Sequence, residues 1–119
     1  MSRFAGLCVL VVEDEPVVAM WLEDILDALG CAVLGPASRL AEGLALAQTG
    51  TMDAAILDIN LSGERSTQIA QTLRDRGVPF AFASGYGNPP EGFSEGVPMI
   101  EKPYREAEVR AALESLLPN

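Results

Sequence analysis

The chain has 119 residues, 49% of them hydrophobic, and its 17 acids outnumber its 8 bases to give a net charge of −9. That length suits one domain with a real core and is too short for a second folded unit. The acidic balance and the scattered bases argue against nucleic acid and anionic membrane as partners, and no apolar run approaches the length that spans a bilayer.

Residues 7–12, LCVLVV, predict a first strand that runs directly into Glu13, Asp14 and Glu15. Arg3 and the apolar stretch after it mimic a short signal peptide, but EDEP follows instead of a small-residue cleavage site, so a cytoplasmic protein is expected. Pro16 suits the first position of a helix, in which Val18, Leu22, Ile25, Leu26 and Leu29 form one stripe until Gly30 ends it. A short strand over 32–34 follows, then a helix over 39–49 with Leu40, Leu44 and Ala47 inward. The third strand, 54–57, stops at Asp58. A helix over 67–76 buries Ile69 and Leu73; strands over 80–83 and 99–101 come next. The last helix, 105–117, carries Val109, Leu113, Leu116 and Leu117 on one face. Between the last two strands GYGNPPEGFSEGVP, with four glycines and three prolines, predicts a loop with little or no helix. Cys8 and Cys31 are expected as reduced core thiols.

Strands that are apolar on both faces and alternate with helices imply a parallel sheet covered on each side, a doubly wound α/β fold. In such sheets ligands bind beyond the carboxyl ends of the strands. Here those ends carry Glu13, Asp14 and Glu15, then Asp58 and Asn60, then Ser84, then Lys102. Taken singly these are a helix-start acid, a loop cap, a turn hydroxyl and a surface charge. Their conjunction is different. Carboxylates at contact distance repel by roughly 4 kcal/mol per pair near a protein surface, and a hard cation such as Mg²⁺ removes that repulsion. A carboxylate can also attack phosphorus when positive groups offset the charge on the phosphoryl oxygens. Asp58 is the candidate nucleophile, Lys102 the charge opposite it, and Ser84 a donor to a phosphoryl oxygen.

The motifs VVEDEP, ILDINL, FASGYG and EKPY, in this order over residues 7–117, resemble the receiver domain of two-component response regulators. The resemblance implies a flavodoxin-like, five-stranded parallel sheet in the order 2-1-3-4-5 and one receiver domain over 1–119; with only Pro118 and Asn119 after the last helix, no output domain is expected. It makes Asp58 the phospho-acceptor, with Ser84 as the switch hydroxyl and Lys102 as the conserved lysine. Mg²⁺ would be held by Glu13, Asp14, Asp58 and the backbone carbonyl of Asn60, and the Lys102–Pro103 bond would be cis. FASGYG is similar to the hallmark of the FAT GUY receivers, in which the fourth helix is reduced and the usual switch aromatic is missing. Met99 stands at that aromatic's place here, which leaves Tyr86 and Tyr104 as candidate moving parts. The implied function is that of a phosphoprotein in a phosphorelay, with no dedicated enzyme activity beyond self-phosphorylation and autodephosphorylation at Asp58.

The chain has no histidine, so the phosphoryl group would come from a sensor histidine kinase, a histidine phosphotransfer protein or a small acyl phosphate. Output would be a contact with a downstream protein, made by a monomer or a weak phosphorylation-dependent dimer. Met20 and Trp21, beside the first helix's stripe, are expected at its packed edge, with docking of a kinase helix as the alternative. Two other readings stay open: a pseudo-receiver that binds partners without phosphorylation, and an aspartyl-nucleophile phosphohydrolase.

Overall fold

Five apolar segments lie side by side in the computed structural model, which describes residues 4–85, 90, 92–93 and 96–117. They are β1 (Cys8–Val12), β2 (Ala32–Ala37), β3 (Ala54–Asp58), β6 (Phe80–Ser84) and β7 (Met99–Glu101). All pairings are parallel, in the order β2-β1-β3-β6-β7, which is 2-1-3-4-5 when only this sheet's strands are counted. Four helices complete the described chain: α1 (Pro16–Ala28), α2 (Leu40–Thr49), α3 (Thr67–Arg76) and α4 (Glu106–Leu116). The architecture is a doubly wound, flavodoxin-like α/β fold. No helix among the described residues is long and apolar enough to cross a membrane.

Successive strand residues point to opposite faces, and here both faces are covered. Val9, Val11, Ala54 and Ile56 join Leu22, Leu26, Val109 and Leu113 in the core under α1 and α4. Their neighbours Leu10, Val12, Ala55 and Leu57 join Ala47, Ile69 and Leu73 in the core under α2 and α3. Consequently β1 is wholly enclosed from Val9 to Val12, which is why its sequence shows no polar alternation.

Among the described residues between β6 and β7 none is helical, as the glycine and proline content implied. Phe93 instead packs edge-on against Phe80 and Phe82, with centroids 6.0 and 5.6 Å away. The Arg74 guanidinium lies over its outer face at 4.2 Å, a cation–π contact from α3.

Three details differ from the expected elements. First, β2 continues to Ala37, past a cis Gly35–Pro36 bond. Gly35 has φ 98°, and a Cβ there would meet Ala37 N at 2.8 Å and Val11 O at 2.9 Å, so only glycine carries the strand through this irregularity. Second, a small antiparallel hairpin, β4 (Asn60–Leu61) and β5 (Glu64–Arg65), follows β3. Its turn residues Ser62 and Gly63 both have positive φ, 51° and 92°, as two-residue hairpin loops require. Third, Met20 and Trp21 are not packed at an edge: they are 62% and 56% exposed. The face of α1 that meets the sheet runs through Ala19, Leu22, Ile25 and Leu26, which turns positions 20 and 21 outward. Cys8 and Cys31 are free thiols, the second buried.

Gly43 lies buried inside α2, where glycine weakens a helix. A Cβ at this position would approach Ile69 Cδ1 to 2.7 Å and both Val12 methyls to 3.4 Å, so the missing side chain sets how closely α2 and α3 pack. Gly43→Val is expected to destabilise the protein by about 2 kcal/mol through overpacking, measured as a lower urea midpoint; an unchanged midpoint would contradict this packing role.

Candidate functional site

Strand register brings the functional side chains together. Val12 pairs with Leu57, so the residues that follow β1 emerge beside Asp58, the last residue of β3. Asp58 pairs with Ala83 and Ser84 with Glu101, which places Lys102 directly past the sheet's edge. The Lys102 N–H donates to the Ser84 carbonyl at 3.0 Å, and the Lys102–Pro103 bond is cis.

Lys102 is the centre of the cluster. Its ammonium Nζ donates to Glu13 Oε1 at 3.1 Å and Oε2 at 3.2 Å, and to Asp58 Oδ2 at 3.1 Å; exposed Glu15 stands off at 3.9 Å. Glu13 is only 1% exposed, and Asp58 5%. Glu13 also accepts from the Tyr104 hydroxyl at 3.1 Å and from the Glu15 N–H at 3.3 Å. Tyr104 is therefore a buried tyrosine fixed on the acid side of the site. On the other side, Asp14 Oδ2 accepts from both the N–H and the hydroxyl of Ser62, at 2.9 and 3.1 Å.

One oxygen from each of Glu13, Asp14 and Asp58 can be chosen so that all lie within 4.8 Å of one another. An open cleft of about 570 Å³ lies over Asp14 and Asp58, lined also by Asn60, Ser62, Ser84 and Lys102, with Glu13 buried behind it. All three donors are hard carboxylate oxygens, the chemistry that suits Mg²⁺ or another hard dication. The charge balance points the same way: when ionised, three carboxylates face one ammonium.

Burial, charge and hydrogen bonding together set the electrostatics of the rim. Burial first, and then the negative charge of Glu13, push Asp58 up to about 7; Lys102 pulls in the opposite direction without cancelling them. Burial acts to lower Lys102, but Asp58 and then Glu13 outweigh it and hold the ammonium above its ordinary value. For Asp14 burial acts upward, and the Ser62 hydrogen bonds prevail to leave its carboxyl below the usual range. Burial, with the Glu13 charge, drives Tyr104 far above a normal phenol, so it stays a neutral donor.

The sequence-derived residues Glu13, Asp14, Asp58, Asn60, Ser84 and Lys102 thus gather at one rim. Tyr86 lies outside the described residues. Met99, half-buried, packs against the α2/α3 core. Two contacts had no sequence-level expectation, Ser62 on Asp14 and Tyr104 on Glu13. The Ser-Gly pair signals a turn, but the acid it reaches is 48 residues away.

The chain belongs to the response regulator receiver domain family, matched over residues 9–114. It is a receiver domain of two-component signal transduction. It is similar to the phyllosphere-induced regulator PhyR of Methylorubrum extorquens, 32% identical over 92% of this chain. Only 43% of PhyR is matched, so the chain spans less than half of that relative. The solution structure of SdrG from Sphingomonas melonis Fr1 is similar over 99% of this chain and 100% of its own, with 40% identity and a TM-score of 0.83. The response regulator PhyR from Brucella abortus is 28% identical over 97% of this chain and 49% of its own, TM-score 0.81. Receiver domains typically bind Mg²⁺ at such an acidic site and interact with histidine kinases or phosphotransfer proteins.

The raised Asp58 carboxyl has a consequence for stability. Its folded value, about 7, lies above the roughly 3.9 of an unfolded aspartate, so deprotonation disfavours the folded state and stability falls as pH rises through this interval. Asp14, shifted the other way, loses its contribution only on the acid side of the interval. In EDTA, raising the pH from about 5.5 to 8 is expected to cost about 2 kcal/mol, and Asp58→Asn to abolish most of that fall. Denaturant titrations across this range check it; equal slopes for the two proteins would contradict the assignment.

Proposed function

We propose that the chain is a stand-alone phospho-acceptor response regulator, a cytoplasmic element of a phosphorelay in which Asp58 takes a phosphoryl group from a partner's phosphohistidine. The observation that carries this reading is the place of Asp58: a nearly buried carboxylate at the end of a central strand, opening into the cleft with Lys102 at 3.1 Å. SdrG, 40% identical, has been solved in a BeF₃-activated conformation, and trifluoroberyllate is a phosphoryl analogue.

In this reading an Asp58 carboxylate oxygen attacks phosphorus, the phosphorus–nitrogen bond to the donor imidazole breaks, and its electron pair stays on the leaving ring nitrogen. Lys102 offsets negative charge on the phosphoryl oxygens, and Ser84, at the next strand end, donates to one of them. Glu13, Asp14, Asp58 and the backbone carbonyl of Asn60 would hold Mg²⁺, which supplies further neutralisation of those oxygens when bound. Glu13 also keeps Lys102 in position through both carboxylate oxygens.

In this reading FASGYG is FAT GUY-like, Met99 replaces the usual aromatic, and Ser84, Tyr86 and Tyr104 form the switch group instead. Tyr104 would report on the site through its bond to Glu13. The outward face of α1, with Val17, Met20 and Trp21 all more than half exposed, is the surface we assign to the kinase or phosphotransfer partner. The phosphorylated form then presents a changed surface to a downstream protein.

Incubation with Mg²⁺ and acetyl phosphate is expected to add one phosphoryl group, read as intact mass, and the addition to vanish in Asp58→Asn and in EDTA. Labelling of Asp58→Asn, or no labelling of the native protein by any phosphodonor, would favour a pseudo-receiver. Trp21→Ala should slow transfer from a phosphorylated kinase about tenfold, as loss of an interface anchor does, while acetyl phosphate labelling stays unchanged. Equal slowing with both donors would sink the docking assignment.

A further inference from the structure

Ser62 is the one non-glycine residue with positive φ among the described residues. Side chains avoid this conformation, and where it occurs the surrounding structure over-determines it. A glycine at this position would form the same turn freely, as Gly63 does beside it. Serine adds a hydroxymethyl group, whose hydroxyl is on Asp14 Oδ2 at 3.1 Å, alongside the Ser62 N–H at 2.9 Å.

The mount is rigid at its other end. Leu61, next in the hairpin, is 1% exposed in the α2/α3 core, and Asn60 pairs with Arg65. The hairpin therefore joins the core to the Asp14 carboxylate, which stands at the rim beside Asp58. Glu13 and Asp58 have Lys102 to share; Asp14 has two donors from Ser62 instead.

We infer that Ser62 is the positioning residue of the cation site, holding one Asp14 oxygen so that the carboxylate stays beside Asp58 instead of swinging into solvent. The inference rests on reading Glu13, Asp14 and Asp58 as a Mg²⁺ site. Partners that orient a metal-binding carboxylate in this way typically change affinity by about tenfold or more when lost.

The test titrates Mg²⁺ into native protein, Ser62→Gly and Ser62→Ala, without phosphodonor, following the amide NMR shifts of Asp14 and Asp58. Thermal unfolding in EDTA is measured alongside. Ser62→Gly keeps the turn and the N–H and loses the hydroxyl, so Mg²⁺ affinity is expected to drop about tenfold while Tm holds or rises. Ser62→Ala loses the hydroxyl and keeps the strain, so affinity drops similarly and Tm falls. Affinity tracks the hydroxyl, whereas stability tracks the backbone. Native-like Mg²⁺ affinity in Ser62→Gly would overturn the inference and leave the metal reading intact. A drop in Ser62→Gly accompanied by a matching loss of Tm would reduce Ser62 to a structural role. A native protein whose Asp14 and Asp58 amides ignore Mg²⁺ would remove the metal reading and this inference together.

Discussion

One ammonium group holds the rim of this protein together. Lys102 reaches Glu13 and Asp58 at 3.1 Å each, and both acids are nearly sealed from water. Without that group, two buried carboxylates would confront each other with no counter-charge, a situation that costs several kcal/mol per ion. Much of the surrounding architecture can be read as a device for delivering Lys102 to this spot. The pairing of β6 with β7 sets its height, the Ser84 carbonyl receives its N–H, and Tyr104, two residues on, closes the far side of Glu13.

The compensation is incomplete by design of the residue types. One positive charge cannot balance three negative ones: burial, and after it the charge of Glu13, raises Asp58, while Asp14 is held by the hydrogen bonds of Ser62. A site left short of positive charge is one that suits a hard dication. The core carries the cost of this arrangement: two apolar layers, one on each face of the sheet, fix the strands that present the acids.

Much of this was legible in the sequence, because its two strongest signals are local. The unbroken apolar runs identified the strands, the stripes identified the helices, and the strand ends named Glu13, Asp14, Asp58, Ser84 and Lys102. What escaped has a common cause. The two-residue strands of the hairpin are too short to show a period, and Gly35-Pro36 reads as a stop although β2 runs through it. Met20 and Trp21 are apolar yet exposed, since hydrophobicity reports affinity for a buried face and not which face the helix turns inward. The bonds of Ser62 to Asp14 and of Tyr104 to Glu13 span 48 and 91 residues; no local pattern encodes a contact of that separation.

Membership of the receiver family places the chain among regulators, and the geometry of its rim narrows attention to a single aspartate. The most direct measurement is a crystal structure grown in excess Mg²⁺ at neutral pH. Our account predicts an ion bonded to the carboxylates of Asp14 and Asp58, with Lys102 still in contact with Asp58. A rim without metal, its acids turned away from one another into solvent, would contradict it.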